Sequence, residues 1–405
     1  MRVYAIAIVG SLGLGCVAAL AVPDTDGTAY RMARHDPLSA AARVGREMFF
    51  DKSLSASGKL ACASCHDPDH AYAPANALSV QAGGRALTLS GTRAVPSLRY
   101  TQAVPPYADV RDNPDGVSNP GPGGGFTQDG RAPTLAEQAK IPLLAANEMA
   151  NADGTEVVAK IRSAPYVALF TEAFGGDVFA NSAVAFQHVA EALQAFELED
   201  YSFHPFSSKY DLFSGNKVGG SLTPSEMRGL KVFVDPQRGN CAACHYAGPG
   251  LRGTTAMFTD YSYAAIGVPR NASIPANSDP RYYDLGVCSR PDHPLPANHA
   301  YCGMFKTPTL RNVATRSVFF HNGQIKSLKD AIRFYNTRDT EPERWYPTVR
   351  GVVRKFDDLP PQYQVNVDRQ APLDGRPRGG APPMTPEEMD DLEAFLNTLT
   401  DDYRP

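Results

Sequence analysis

The sequence predicts a mainly α-helical protein made of two similar domains. The word C-x-x-C-H occurs twice, and a helix-like segment followed by a short loop precedes each occurrence. Strand signals are sparse, although Gly and Pro are frequent at 34 each. The chain has 405 residues, which suits two domains of ordinary size. We expect an N-terminal domain over residues 30–205 and a C-terminal domain over residues 215–405.

The two helix-like segments have matching designs. Residues 38–50, LSAAARVGREMFF, show the apolar spacing of an amphipathic helix and lead into the first word. Residues 223–233 do the same before the second word. There Thr223 is a candidate N-cap, Pro224 suits the first helical position, and Glu226 completes a capping box.

The remaining segments complete the two halves. Residues 182–198 predict a long helix at the end of the first half, and a Thr-Pro start at 385 predicts the helix that ends the second. Residues 202–221 are the best candidate for a linker. Residues 105–125, which end in NPGPGGG, predict a glycine-rich loop.

The repeated word has a direct chemical interpretation. Two thiols three positions apart can add to the two vinyl groups of one porphyrin, and the adjoining His can then bind the iron. A structural zinc site is the alternative, but it would need two C-x-x-C pairs close together, and about 175 residues separate these. We therefore predict two cytochrome c-like domains, each with one covalently bound haem c. The residues are Cys62, Cys65 and His66 in the first word, and Cys241, Cys244 and His245 in the second.

The N-terminus predicts export. One Arg, an apolar run and then Ala19-Leu20-Ala21 match a cleaved signal peptide over residues 1–21. The run is too short to predict a retained membrane span. A lipoprotein anchored through Cys16 is the alternative, but Gly13 stands where such a signal normally has Leu. Both this segment and the haem c words favour the periplasm or the cell surface.

Two cysteines of the mature chain lie outside the haem words. Cys288 and Cys302 belong to no third C-x-x-C-H, so no third haem is predicted. An oxidising compartment favours a disulfide between them, which would contribute roughly 3 kcal/mol in the chain-entropy model.

The charge balance excludes one class of partner. The formal net charge is −4, and the sequence has no basic run, P-loop or dinucleotide-binding fingerprint. We expect no nucleic-acid partner.

Several longer words extend beyond C-x-x-C-H. They are SCHDP at 64–68, DGRAPTLAEQAKIPLLAANEM at 129–149, and FKTPTLRNVATRSVFFHNG at 305–323, followed by LKDAIRFYN at 328–336. Through them the sequence resembles the bacterial di-haem cytochrome c peroxidase and MauG family over nearly the whole mature chain. The resemblance implies hydrogen peroxide as a substrate and two unequal haems.

At the first haem the resemblance implies an acid–base catalyst. Gln138 and Glu148 flank Pro142 and match the residues that project over the open face of this haem in the family. Cleavage of a peroxide needs a group that takes a proton from one oxygen and delivers one to the other, as a partly desolvated carboxyl can. We expect Glu148 in that role and Gln138 to position water or peroxide. The alternative for Glu148 is a solvated helix end.

The same haem is predicted to lack a distal protein ligand. Family peroxidases carry a distal His after the first word, but residues 71–100 contain none. His70 is too close to His66 to reach the opposite face. We expect a five-coordinate or water-bound iron that needs no reductive activation, which is a MauG-like feature.

At the second haem the resemblance implies a tyrosine ligand. The family ligand lies fourteen residues after the His of the F-H-x-G word and is Met in the peroxidases and Tyr in MauG. Here His321 leads to Tyr335. A phenolate stabilises oxidised iron, whereas a thioether raises the reduction potential. We interpret His321 as a structural residue near this haem, and a packed helix residue is the alternative for Tyr335.

Four positions depart from the family pattern. Gln128 replaces the Trp between the haems, so another inter-haem route would be needed, with Phe126 or a nearby Tyr as a guess. Ala94 replaces the Asn of the inter-domain calcium site, which makes calcium doubtful. Arg316 and Val318 replace the usual Thr and Pro before F-F-H.

The C-terminal words narrow the resemblance. FYNTRDTEPERWYP and FLNTLTDDY resemble MbnH-type di-haem enzymes, which implies an MbnP-like protein substrate whose Trp is oxidised to kynurenine. We expect an enzyme that forms a high-valent iron state and oxidises a partner-protein side chain, with Trp345 and Tyr346 as possible electron-relay residues. The alternatives are a peroxidase that uses a small electron donor and a non-catalytic electron carrier.

Overall fold

The computed structural model describes residues 37–116, 118–249, 255–290 and 299–405. The predicted signal peptide, residues 1–21, lies outside the described residues. Within the described ranges, no helix is long and apolar enough to cross a membrane.

The described residues are rich in helices and contain only short strands. The helices are α1 Ala40–Phe50, α2 Leu135–Leu144, α3 Gly154–Ser163, α4 Val167–Phe174, α5 Ser182–Glu199, α6 Lys209–Ser214, α7 Pro224–Val234, α8 Leu328–Thr337, α9 Pro342–Trp345 and α10 Pro386–Asn397. The strands are β1 Ala82–Gly83, β2 Leu89–Ser90, β3 Ala108–Arg111, β4 Gly121–Gly123, β5 Tyr263–Ala264, β6 Phe305–Lys306, β7 Thr348–Val349 and β8 Val352–Val353.

The helix before the first C-x-x-C-H word packs along the helix that ends the first half. Helix α1 begins after Ser39, whose hydroxyl accepts a hydrogen bond from the Ala42 N–H. It packs against α5, where a Cβ at Gly45 would lie only 1.9 Å from the Ala192 carbonyl oxygen. The glycine therefore permits the close helix crossing that leads into the first word.

The second half repeats this arrangement. Helix α7 begins with the predicted capping box of Thr223 and Glu226, and it packs against α10. A Cβ at Gly229 would lie 1.9 Å from the Asp391 carbonyl oxygen. The predictions of these four helices are confirmed, and the ends of α1, α5 and α7 differ from the predicted ranges by one or two residues.

The buried apolar side chains follow the two halves of the chain. One cluster draws only on residues between 44 and 203, and a second only on residues between 210 and 399. A smaller cluster surrounds Phe334, Tyr346 and Phe356. All described residues belong to one compact unit, Ala33–Pro405, so the division into two domains stays a prediction.

The strands form four antiparallel pairs, β1–β2, β3–β4, β5–β6 and β7–β8, within the described residues. The pair β3–β4 occupies the predicted glycine-rich loop 105–125 and contacts the second half of the chain. Gly123 pairs with Ser262, and the Gly124 N–H donates to the Tyr261 carbonyl at 2.9 Å. This hairpin thus lies beside the second haem word rather than the first.

The predicted linker 202–221 is more ordered than its composition indicates. It contains α6, and its Asp211 accepts a hydrogen bond from Arg311 at 2.8 Å in a buried ion pair. The pairing partner lies 100 residues away in sequence, so no local pattern signals this order.

Candidate functional site

The first haem word forms a tight turn that orients its histidine. Cys62–Ser64 is a 3-10 turn, and the Ser64 hydroxyl accepts a hydrogen bond from the Ala61 N–H at 2.9 Å. The His66 Nδ1 lies 3.0 Å from the Tyr72 carbonyl oxygen, so Nδ1–H donates and Nε2 keeps its lone pair. Burial lowers the pKa of His66 to about 4. A neutral imidazole with a free Nε2 is the form that binds iron.

The second word presents its histidine in the same way. Cys241–Ala243 is again a 3-10 turn. The His245 Nδ1 lies 3.2 Å from the Phe258 carbonyl oxygen and 3.1 Å from that of Pro308. Burial lowers the pKa of His245. Both histidines are therefore oriented by backbone carbonyls that accept from Nδ1.

The four cysteines of the two words form no disulfide. Burial raises the pKa of Cys62, Cys241 and Cys244 to about 12, and that of Cys65 to about 11. Each thiol pair lies beside the His of its own word, as attachment of one haem c per word requires. The other described cysteines, Cys288 and Cys302, form a disulfide with each other.

Gln138 and Glu148 lie on either side of a helix end. Helix α2 begins at the Thr134 cap and carries Gln138, and Pro142 lies within its last turn. The chain then turns, with the Glu148 N–H donating to the Ala145 carbonyl at 2.9 Å. The Glu148 side chain is exposed, but neighbouring groups remove enough water from it to raise its pKa, an effect that Arg131 opposes.

A short hairpin fixes the backbone beneath Glu148. The Gly84 N–H donates to the Glu148 carbonyl at 2.8 Å. A Cβ at Gly83 would lie 2.4 Å from the Asn147 carbonyl oxygen and 2.7 Å from that of Glu148. The β1–β2 pair therefore packs on residues 147–148 through a glycine, and it occupies part of the histidine-free segment 71–100.

One cavity of about 380 Å³ lies against the second word, and none of Cys62, Cys65 and His66 is among the described residues that line it. Gln138 of the first site and His245 and Tyr335 of the second all line it. Phe126 and Gln128, the residues at the predicted inter-haem position, also line it. The fold therefore brings together residues that are far apart in sequence. Glu148 is not among the described residues that line this cavity.

Tyr335 is held on α8 by aromatic neighbours. Its ring centroid lies 5.8 Å from that of Phe320 and 6.2 Å from that of Phe334. Burial raises the pKa of its hydroxyl, and the nearby Cys244, Cys241 and Asp368 oppose ionisation further. A phenol in such a place ionises when a cation binds it.

The predicted relay residues differ in exposure. Trp345 is half-buried, donates from Nε1 to the Thr337 hydroxyl at 3.0 Å, and packs edge-on against Phe334 at 5.4 Å. Tyr346 is only 3% exposed, and its hydroxyl donates to the Gly267 carbonyl at 2.5 Å. Trp345 thus extends from Phe334, a neighbour of Tyr335, to the protein surface. Tyr346 does not reach the surface.

The other histidines near the words have protein partners. His321 stacks on Phe305 with ring centroids 3.7 Å apart, and its Nε2 lies 3.3 Å from an Asp358 carboxylate oxygen. His70 is partly exposed, with Nδ1 at 3.2 Å from Asp67.

Ala94 lies at the position where the sequence made calcium doubtful. Ala94 has no side-chain ligand, its N–H donates to the His321 carbonyl at 2.7 Å, and its own carbonyl accepts from Gln128 Nε2 at 2.8 Å. Within the described ranges, no cluster of three His, Cys, Asp or Glu could hold a metal ion.

Three further residues were not identified from the sequence as site residues. Glu197 is 4% exposed, and burial raises its pKa to about 8 near Cys62. Lys306, inside the F-K-T-P word, lines the cavity with its pKa lowered by burial to about 8. Arg316 also lines the cavity, although the sequence shows it only as a departure from the family. Of the three, only Lys306 carries a local sequence signal.

Comparisons with known proteins indicate the family of the chain. The sequence profile of a family described as Di-haem cytochrome c peroxidase matches residues 39–218. The chain is 33% identical over 410 aligned residues to the Methylamine utilization protein MauG of Paracoccus denitrificans, covering 96% of each chain. The structure of the diheme peroxidase BthA from Burkholderia thailandensis superposes with a TM-score of 0.80 and 39% identity, covering 91% of this chain and 88% of that one.

A third likeness concerns the fold alone. A MauG-like protein associated with microbial copper homeostasis superposes with a TM-score of 0.63 and 22% identity, covering 92% of this chain and 93% of that one.

Proposed function

Because the chain belongs to the di-haem cytochrome c peroxidase and MauG family of peroxide-using oxidoreductases, we propose that it oxidises a side chain of a partner protein with hydrogen peroxide. The observation that carries this proposal is the unequal pair of sites. Glu148, whose pKa is raised, lies close enough to Cys65 of the first word for its charge to act on that thiol, and Tyr335 lines the cavity at the second word.

The residues at both words fit haem c. Each word offers two thiols and one neutral imidazole whose Nε2 is free. Cys62, Cys65 and His66 would hold the first group, and Cys241, Cys244 and His245 the second. Haem c, when bound, supplies iron that can cleave peroxide and hold oxidising equivalents.

Glu148 moves the proton in this proposal. Its carboxylate takes a proton from the peroxide oxygen that is retained at the site. The resulting carboxylic acid gives that proton to the other peroxide oxygen, which leaves as water. Partial desolvation raises the pKa of Glu148 toward the range in which both half-steps are fast. Gln138, which lines the adjoining cavity, orients peroxide or water.

Tyr335 makes the second site different. Together with His245 it would hold the second haem from within the cavity. Tyr335 lines the cavity beside His245, so its hydroxyl could bind an iron held there. Phenolate ligation stabilises the oxidised states of haem iron. A haem with this ligand is therefore less suited to simple electron transfer.

Trp345 carries the oxidation to the surface. It contacts Phe334, which contacts Tyr335, and it is half-buried. An electron from the partner side chain would pass to oxidised Trp345, so the substrate need not enter the cavity. An MbnP-like protein whose Trp becomes kynurenine is the partner that we propose to test first, and the periplasm or cell surface is the proposed location.

Two matched variants test the proposal. Glu148→Gln should lower kcat/KM for peroxide by about 10²–10⁴-fold because a general acid–base catalyst is lost. Glu137→Gln is the control, since Glu137 lies on α2 but pairs with Lys140 at the surface. Oxygen addition to Trp of the partner protein, measured by mass spectrometry, should fall in parallel. Equal activity of both variants would refute the role of Glu148.

A peroxidase that uses a small electron donor is the second candidate. The matching family profile and the BthA structure are both described as peroxidases, which favours it. Fast turnover with a small donor, without oxidation of any protein side chain, would select this function.

A further inference from the structure

The hairpin of β7 and β8 presents one apolar face to solvent. Val349 and Val352 lie opposite each other in its two strands, so their side chains share a face, and they are 44% and 56% exposed. Val353, the next residue of β8, points to the other face and packs against the apolar cluster that contains Phe334. The hairpin is thus anchored by one face, and the described residues leave the other face uncovered.

The same segment is strongly basic. Residues 344–355, RWYPTVRGVVRK, contain four basic and no acidic residues, although the formal net charge of the whole chain is −4. Two of the four have carboxylate partners. Arg344 lies 3.3 Å from Glu341, and Lys355 pairs with Asp339. The chain itself therefore compensates half of this local charge.

Arg350 and Arg354 carry the other half. Both side chains are exposed, and no described carboxylate forms an ion pair with either. Arg350 lies in the two-residue turn between the strands, with a φ of 51°, and Arg354 directly follows β8. The uncovered valines thus adjoin two uncompensated positive charges. An acidic surface is complementary to this arrangement, whereas a basic surface would be repelled.

This apolar and basic face adjoins Trp345. The Arg354 N–H donates to the carbonyl of Pro347, two positions from Trp345, at 2.9 Å. Trp345 and Val353 pack against the same apolar cluster. The Arg344 guanidinium lies 5.9 Å from the centre of the Trp345 ring. A protein docked on the hairpin would therefore hold its own surface side chains close to the half-buried indole.

We propose that the β7–β8 hairpin is the docking surface for the partner protein, and that this partner presents an acidic surface with an apolar centre. The two valines supply the apolar centre of the interface, and the two arginines supply its charged rim. So small an apolar area suits a transient complex, because an enzyme must release its oxidised partner. This inference rests on the proposed function and adds the chemistry of the protein substrate.

Two other occupants share part of this chemistry. An anionic lipid surface also attracts arginines, and a second copy of this chain carries the required negative net charge. A lipid surface offers Trp345 no side chain to oxidise, and a stable dimer needs a larger apolar area than two valines. The position of the hairpin therefore favours a partner protein.

The experiment uses the full-length protein with its haems attached and an MbnP-like protein as the probe. Arg350→Asn combined with Arg354→Gln removes both charges, and Asn tolerates the positive φ of the turn. Val349→Ser combined with Val352→Ser removes the apolar centre and leaves the charges in place.

A matched control removes two charges elsewhere. Arg46 on α1 and Lys52 just after it are exposed residues of the first half of the chain. Arg46→Gln combined with Lys52→Gln therefore changes the net charge by the same amount. Isothermal titration calorimetry measures binding of the probe at low and at physiological ionic strength. Mass spectrometry of oxidised Trp gives kcat and KM for the probe.

The charge variant should raise KM for the probe roughly tenfold and make binding less sensitive to salt, because rim charges act mainly on association. Its kcat at saturating probe should stay close to that of the parent. The valine variant should weaken binding at both ionic strengths, and the control should match the parent.

The outcomes separate this inference from the proposed function. Oxidation of the probe with equal binding by the parent and both hairpin variants would overturn the docking surface alone. Hairpin-dependent binding without oxidation would support the docking surface and overturn the proposed function. A parent that does not bind the probe would overturn both. Binding to phosphatidylglycerol vesicles, or a dimer in analytical ultracentrifugation, that is lost in the hairpin variants while the probe does not bind would assign the surface to lipid or to a second copy instead.

Discussion

Replacing Gly83 with alanine tests whether backbone packing positions Glu148. The added Cβ would lie 2.4 Å from the Asn147 carbonyl oxygen, whereas an ordinary contact begins at 3.4 Å. The β1–β2 pair and residues 147–148 must therefore separate by about 1 Å. A displacement of this size at a catalytic group costs about 10²-fold in rate, or about 2.7 kcal/mol in activation free energy.

The assay is kcat/KM for peroxide with a small electron donor, together with the spectrum of each haem. Gly83→Ala should lose about 10²-fold in kcat/KM and leave the second haem unchanged. Gly176→Ala is the matched control, because a Cβ there would meet no atom within 4 Å. Overpacking can also destabilise the protein by about 1–3 kcal/mol, so circular dichroism should show that the variant is folded. A folded Gly83→Ala with parental kcat/KM would refute the positioning argument.

Three further predictions concern the second site, the relay and stability. Tyr335→Met should change the spectrum of the second haem and raise its potential, because a thioether favours reduced iron; an unchanged spectrum and potential would remove the case for ligation. Trp345→Phe should lower oxidation of the partner protein on the order of tenfold while peroxide consumption with a small donor stays parental, whereas Tyr346→Phe should alter neither. Burial raises the pKa of Glu197 from 4.5 to about 8, so the folded state holds this proton more tightly and the free energy of unfolding should fall as pH rises through that window, by on the order of 4–5 kcal/mol. Denaturant unfolding at both ends of this pH window should show that the free energy of unfolding depends less on pH in Glu197→Gln than in the parent protein. An equal pH dependence in both proteins would contradict the assignment to Glu197.

The features predicted well from the sequence are those with local signals. The capping box of Thr223 and Glu226 marks the start of α7 within one turn, and the apolar spacing of residues 38–50 marks α1. The C-x-x-C-H words carry their own chemistry, since the thiols and imidazole are adjacent. The family assignment is also confirmed by the 33% identity to MauG over nearly the whole chain.

The features that sequence reasoning missed depend on contacts between distant segments. The hairpin within 105–125 lies beside the second word because Asn113 donates to Asp260 at 2.9 Å, across 147 positions. Arg316 is visible in the sequence only as an unusual residue. Its place in the wall of the cavity emerges only when the chain is folded.

The difference between the two sites arises from segments added to a repeated frame. In each half a helix with an internal glycine, Gly45 or Gly229, crosses a partner helix closely and leads into a tight turn whose histidine donates to backbone carbonyls. Such equal frames would by themselves give two equivalent sites. The first site becomes different because the turn after α2 adds a carboxyl of raised pKa. The second becomes different because α8 brings a half-buried phenol to the cavity. In the proposed function, proton transfer and storage of oxidising equivalents could then be tuned separately, since a change at Glu148 would alter the first without touching the residues proposed for the second.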